Sequence, residues 1–184
     1  MNRNLTIPNI ITFIRIFLIP LILYLLFSDD SKIVLLAGFL FIISSISDFF
    51  DGYLARALNQ TTKLGILLDP IADKLLIASV IIVLIETRVI TDIHVIPAII
   101  ILLREIAISG LREFLANNNE KVPVTFVAKI KTTTQMISLS ILIFGMGYDF
   151  NNTIWSAGLI MLWISAFFTL YSGYSYIKKG LTVI

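Results

Sequence analysis

The chain has 184 residues, of which 58% are apolar and 14% charged, with 14 Lys and Arg against 12 Asp and Glu. That composition argues against a soluble domain, and several windows of about 20 residues nearly free of charge read as transmembrane helices. With no cysteine and His94 as its one histidine, the chain lacks the groups for a disulfide framework, a thiolate metal site or a cysteine nucleophile, and a Ser-His-Asp triad or histidine-ligated zinc is disfavoured. Carboxylates and hydroxyls are left to carry any chemistry.

In chain order, a first span covers 8–27, where Pro20 predicts a bend of the kind membrane helices tolerate. Arg15 lies inside it; an intramembrane arginine is a site candidate, the alternative being a side chain that snorkels to the surface. Nothing in this run resembles a cleavable signal peptide, being too long and without a small-residue cleavage site. The polar turn SDDSK at 28–32 leads to a second span at 33–58, longer than a hydrocarbon core of about 30 Å requires. Its last turns, with Asp48, Asp51 and Arg56, therefore project to the interface. After NQTTK a third span covers 64–86, followed by a turn and a fourth at 95–116. Pro123 suits the start of a fifth at 124–146, and a sixth covers 154–177. There is no long linker or internal repeat, so the expectation is one domain over 1–184: an all-α integral membrane bundle of six transmembrane helices.

Six spans place both termini on one side. The three turns on the far side hold only Lys32 and Arg88 of the Lys and Arg residues, whereas Arg3, Arg56, Lys63, Lys121, Lys178 and Lys179 sit on the near side. The excess of basic residues puts both termini, and the acidic stretch between spans two and three, in the cytosol.

That stretch, DFFDGYLARALNQTTKLGILLDPIAD at 48–73, organises the chain. Asp48 and Asp51 are three apart and Asp69 and Asp73 four apart, so each pair projects from one face of its helix. Counted from the far face at about 1.5 Å per residue, Asp48 and Asp73 fall at about 20 to 23 Å depth, and spans two and three, read as antiparallel neighbours, bring the four acids to one level. Four carboxylates near hydrocarbon at about 2.5 to 3.5 kcal/mol each put about 10 kcal/mol at stake, which hard divalent cations would offset: two ions, Mg²⁺ or Mn²⁺ from the oxygen-only ligands. Gly52 and Gly65 lack a Cβ and let a ligand approach the backbone. Paired acids in membrane helices also serve as ion or proton relays in transporters, or pair structurally with Arg104, Arg112 or Lys131. Those residues and Lys129 form a group of four cations on spans four and five, suited to a phosphate; the plainer alternative is that cytosolic helix ends are basic and attract headgroups.

Asp48, Asp51, Gly52, Ala55, Arg56, Gly65, Asp69 and Asp73 together spell DxxDGxxARx(8)GxxxDxxxD. This resembles the signature of the CDP-alcohol phosphotransferase family, membrane enzymes that exchange the CMP of a CDP-linked donor for an alcohol. The resemblance implies that Asp48, Asp51, Asp69 and Asp73 are metal ligands, that Asp73 also takes the proton of the acceptor hydroxyl, and that Gly52, Ala55, Arg56, Thr62 and Gly65 border the donor. The runs IPNIITFIRIFLIP, REIAISGLRE and KIKTTTQM resemble the branch whose donor is CDP-diacylglycerol and whose acceptor is sn-glycerol 3-phosphate. That places Asn9, Thr12 and Arg15 near the donor and gives Arg104, Arg112, Lys129 and Lys131 the acceptor phosphate. Ala128 departs from the glycine common before the KxKT run. The implied setting is the inner membrane among lipids, with a homodimer as the assembly and no nucleic-acid partner. Inositol phosphate, serine or a lipid are the competing acceptors, and a cation or proton transporter the reading from another class.

Overall fold

Thr6, with extended backbone (φ −96°, ψ 155°), precedes a first helix, α1 (Ile7–Leu26), without a side-chain capping hydrogen bond, and Pro8 sits in its opening turn, where a missing N–H costs nothing. The helix runs through Pro20 without interruption. Asp30 opens α2 (Ser31–Ala57): its Oδ1 accepts from the Lys32 N–H at 2.8 Å and its carbonyl from Ile33 and Val34 at 2.9 and 3.1 Å, satisfying donors that every helix start leaves over. Thr62 caps α3 (Lys63–Glu86) by accepting from the Gly65 N–H. A 3₁₀ turn (Asp92–His94) precedes α4 (Val95–Asn117), followed by α5 (Phe126–Gly147) and α6 (Asn152–Leu181). The computed structural model describes residues 6–57, 62–117, 126–148 and 152–181, giving the backbone alone for 7, 48–57, 63, 117, 152, 175 and 179–181.

The described chain is all helical, and its six α-helices lie within four residues of the expected spans at each end. Three of them, over Pro8–Leu26, Asp92–Ala116 and Thr153–Lys178, are long and apolar enough to cross a membrane, and α2 has a shorter apolar stretch at Ser31–Ser47. The other helices have the length, but polar groups dilute them: Asp69, Asp73 and Lys74 on α3, and Lys129, Lys131, three threonines and Gln135 on α5. Large apolar side chains face outward as well as into the apolar core, and polar ones are buried beside that core. Phe17, Tyr24, Ile66, Ile106, Phe126 and Phe167 are among the most exposed side chains, whereas Asn9, Thr12, Arg15, Lys131, Gln135 and Ser138 are buried.

The expected adjacency of α2 and α3 is corrected. Among the described residues the two touch only slightly, and α1 packs extensively against both. A short connection joins the ends of two helices without making their faces neighbours, and α1 supplies the buried wedge of Asn9, Thr12, Arg15, Ile19, Ile22 and Leu26. The tightest pairing is α5 on α6. There Gly145 lies so close to Trp155 that a Cβ would meet its Cα and N at 3.3 Å, and a Cβ on Gly158 would meet Leu142 at 2.8 Å. Small residues at such crossings let helices approach where lipid offers no hydrophobic drive.

Candidate active site

The start of α3 is tied to α1 through a short polar chain. Thr62 Oγ1 donates to Asn9 Oδ1 at 2.9 Å while accepting from the Gly65 N–H at 3.0 Å. A Cβ on Gly65 would stand 2.7 Å from Asn9 Oδ1 and 3.3 Å from Thr62 Oγ1. A side chain at 65 would displace Asn9 Oδ1, so the residue that caps the helix and the residue that anchors α1 meet over this glycine. One turn further along α3, Asp69 Oδ1 accepts from Thr12 Oγ1 at 2.7 Å. Asn9, Thr12, Thr62, Gly65 and Asp69, which the sequence assigned to donor and metal, thus lie together.

Arg15, one turn deeper on α1, is 1% exposed, which removes the snorkelling alternative. Its Nε donates to Ser47 Oγ of α2 at 3.4 Å, and Ser47 in turn donates to the Ser44 carbonyl at 2.8 Å. This arginine points α1 at the turn of α2 just before Asp48. The side chains of Asp48, Asp51, Gly52, Ala55 and Arg56 lie outside the described residues; their backbone continues α2 as helix to Ala57. Among the described residues, no three histidine or acidic side chains form a group able to hold a metal ion, and Asp69 and Asp73 are the two carboxylates of the motif that can be placed. An all-carboxylate donor set one helical turn apart is nevertheless of the kind that hard divalent ions take.

Asp73 faces a cavity of about 760 Å³ between α3, α4, α5 and α6. Arg104, Arg112 and Lys131 line the same cavity, together with Lys74, Glu105, Ser109, Glu113, Thr132 and Tyr176, over an apolar floor of Ile66, Leu67, Pro70, Ile71 and Ile108. Three of the four expected cations are therefore brought to Asp73. The fourth, Lys129, is exposed and not in the lining, because two residues of helix separate it from the buried Lys131 by about 200°.

Glu105 is the centre of the polar wall. Lys131 Nζ pairs with its Oε1, Arg104 Nη1 lies 3.4 Å from the same oxygen, and Gln135 Nε2 approaches it at 3.5 Å. Gln135 Nε2 also approaches Thr169 Oγ1 at 3.4 Å. Arg104 Nη2 donates to Ser172 Oγ at 2.8 Å, and its guanidinium carbon lies 5.9 Å from the centre of the Tyr176 ring. On the opposite wall Lys74 Nζ donates to Ser109 Oγ. A buried charge is tolerable only when paired and hydrogen-bonded, and Glu105 does this for two cations at once.

The chain matches the CDP-alcohol phosphatidyltransferase family over residues 5–171. It belongs to that family. It is 47% identical over 180 residues to the CDP-diacylglycerol--glycerol-3-phosphate 3-phosphatidyltransferase of Rickettsia bellii (strain RML369-C), covering 97% of each chain. Proteins with the same description from Bacillus subtilis (strain 168) and Haemophilus influenzae (strain ATCC 51907 / DSM 11121 / KW20 / Rd) are 38% and 36% identical, each over 94% of this chain and over 94% and 91% of their own. Membership of the CDP-alcohol phosphatidyltransferases accounts for the spacing of aspartates and glycines in 48–73.

Sequence reasoning did not assign the groups that hold this family member's cations in place: Glu105, Gln135, Ser172 and Tyr176. A signal for part of them exists. Ser165, Thr169, Ser172 and Tyr176 recur at helical spacing along an otherwise apolar α6 and are all buried, which marks a polar face turned inward.

Proposed function

We propose that the chain transfers the phosphatidyl group of CDP-diacylglycerol to sn-glycerol 3-phosphate, giving phosphatidylglycerol phosphate and CMP, at a site opening to the cytosolic face of the inner membrane. The observation that carries this reading is the shared cavity, in which Asp73, the carboxylate of the motif, stands with Arg104, Arg112 and Lys131, and Glu105 and Glu113 complete the charged wall. An alcohol that bears a phosphate needs both halves of that arrangement, cations for the phosphate and a base for the hydroxyl. The names of the relatives support the same donor and acceptor. Serine or unphosphorylated inositol carries no phosphate for the guanidinium groups of Arg104 and Arg112 at this cavity to receive.

The chain's own groups divide the work. Arg104 and Arg112 receive the acceptor phosphate through their guanidinium forks, and Lys131 adds a point charge. Asp73 accepts the proton of the glycerol 1-hydroxyl as its oxygen forms a bond to the lipid-bearing phosphorus, and the bond from that phosphorus to the CMP oxygen breaks. Asn9, Thr12, Thr62 and Gly65, with Arg15, Gly52, Ala55 and Arg56, border the donor, Gly65 keeping the backbone open to it. Asp48, Asp51, Asp69 and Asp73 would hold two Mg²⁺ or Mn²⁺ ions, whose chemistry is to neutralise charge on the phosphate oxygens and make a carboxylate an adequate base. Lys129, exposed, is left to anionic headgroups at the membrane surface.

The test is an acceptor panel with purified enzyme in detergent: labelled CDP-diacylglycerol, Mg²⁺, and glycerol 3-phosphate, inositol phosphate, serine or phosphatidylglycerol in turn. CMP release dependent on glycerol 3-phosphate and abolished by EDTA is expected. Release with serine but not with glycerol 3-phosphate would sink the acceptor assignment, and full turnover in chelated buffer would sink the metal assignment.

A further inference from the structure

Arg104 is the cation of the cavity whose position is most fully determined, and α6 does most of the determining. Its Nη2 donates to Ser172 Oγ at 2.8 Å. The Ser172 hydroxyl spends its own proton on the Thr169 carbonyl at 3.1 Å, so its lone pairs are turned to the arginine. One residue on, Gly173 leaves the space the arginine stem occupies: a Cβ there would meet Arg104 Cγ at 3.3 Å and Nε at 3.5 Å. One turn on, the Tyr176 ring lies 5.9 Å from the guanidinium carbon, within the reach of a cation–π contact. Ser172 and Tyr176 are 0% and 2% exposed, so neither contact is shared with solvent. A flexible arginine stem loses considerable rotamer freedom when it must hold one geometry; a site that fixes it beforehand spares the ligand that loss.

We propose that Ser172, Gly173 and Tyr176 of α6 form a socket that positions the Arg104 guanidinium at the cavity and thereby sets the affinity for the phosphate of the acceptor. They are positioning residues: they act through Arg104, with Glu105 holding the other edge of the same guanidinium at 3.4 Å. The socket rests on the reading of Arg104 as an acceptor-phosphate ligand. It goes beyond that reading by assigning acceptor affinity to a helix that carries none of the family motif.

The test measures KM for glycerol 3-phosphate and for CDP-diacylglycerol in Gly173→Ala, Ser172→Ala, Tyr176→Phe and Tyr176→Leu, each alone and combined with Arg104→Ala. Gly173→Ala is the decisive variant, since it removes no chemical group and only displaces the arginine. Ser172→Ala removes a hydrogen bond to a charged group, which carries about a factor of ten, and should raise the glycerol 3-phosphate KM by about that factor; Gly173→Ala, which only crowds the arginine stem at Cγ, should raise it in the same direction by a smaller factor. The CDP-diacylglycerol KM should change less than about twofold, within the range of surface-like effects. Tyr176→Leu removes the ring and should raise the glycerol 3-phosphate KM as well, and Tyr176→Phe, which keeps the ring, should raise it less. In the Arg104→Ala background all of these effects should vanish, because coupled residues are not additive. Unchanged acceptor KM in Gly173→Ala and Ser172→Ala, while Arg104→Ala raises it, overturns the socket alone. Equal losses with and without Arg104 overturn it too, by showing a general packing effect. If Arg104→Ala itself leaves the acceptor KM unaltered, the phosphate role of Arg104 fails and the socket with it.

Discussion

Where α5 ends and α6 begins, the bundle is closed by glycine. Gly147 faces Leu35 of α2 so closely that a Cβ would come within 2.7 Å of its Cδ2, Gly158 meets Leu142 in the same way, and Ser138 donates to the Gly158 carbonyl at 3.0 Å. At the opposite end, where α5 begins and α6 finishes, the helices part around a cavity with seven charged side chains in its wall: Asp73, Lys74, Arg104, Glu105, Arg112, Glu113 and Lys131. One sequence thus builds both a tightly packed end and an open one lined by charge, from the same pairs of helices. The tight end holds the helices together, and the open end can then bury charges at a cost no isolated helix would tolerate. Substitutions should separate accordingly: those at the open end change kinetics with little loss of fold, and those at the closed end change stability with little loss of rate per folded molecule.

The largest effect belongs to Asp73→Asn. The amide keeps the volume and the hydrogen-bonding reach but cannot take the acceptor proton, so kcat should fall by about 10²–10⁴, the range for loss of a general base. Donor affinity, measured with labelled CDP-diacylglycerol in detergent, should persist. Turnover within a few fold of the parent would show that another group takes the proton. Gly65→Ala comes next. Its Cβ would fall 2.7 Å from Asn9 Oδ1, and relief requires breaking the Thr62–Asn9 bond, the Thr62 cap, or both; a cap alone is worth about 1 kcal/mol, roughly a factor of five to ten. The CDP-diacylglycerol KM should rise by about that factor with glycerol 3-phosphate KM unchanged, the reverse of the pattern expected at Arg104.

How legible all this was follows from which physical signal each residue left in the sequence. The six helices were readable because long apolar runs are interrupted by polar turns, and at the start of α3 Thr62 caps where the pattern begins. Gly65 and Asp69 were readable because the motif fixes their spacing, and Asn9 and Thr12 through the separate run IPNIITFIRIFLIP; that the two runs meet, through the Thr12–Asp69 and Asn9–Thr62 hydrogen bonds, is what the structure adds. The choice between Lys129 and Lys131 was not: both lie at the start of α5, and only the rotation of that helix against α4 and α6 turns one inward. The order of helices was not legible either, since a short connection between α2 and α3 says nothing about α1 lying between them. Ser172 was legible only as one member of the polar face it forms on α6 with Ser165, Thr169 and Tyr176; its partner Arg104 is 68 residues away, and nothing in the spacing joins the two.

At the closed end, Gly158→Ala should leave kinetic constants per folded enzyme unaltered and lower stability by about 1 to 3 kcal/mol, the range for overpacking a full interface. Its Cβ would meet Leu142 Cδ2 and Cγ at 2.8 Å and Ile141 at 3.2 Å, so relief must come from several side chains at once. Thermal unfolding in detergent, read beside activity at low temperature, checks it. A fall in kcat with no change in the unfolding midpoint would mean that the two ends are mechanically coupled.

The smallest effect tests the same separation most finely. Trp155 Nε1 donates to the Val89 carbonyl at 2.8 Å, fastening the start of α6 to the turn after α3, where Val89 and Ile90 are buried. Trp155→Phe keeps most of the ring and removes the donor. The Val89 carbonyl then loses a neutral partner, a change of about 1 kcal/mol, which should lower the unfolding midpoint slightly and leave both KM values and kcat as they were. A rise in either KM would show that the turn after α3 communicates with Asp73 along that helix, and the rule that stability resides at one end and chemistry at the other would have to be abandoned for α3.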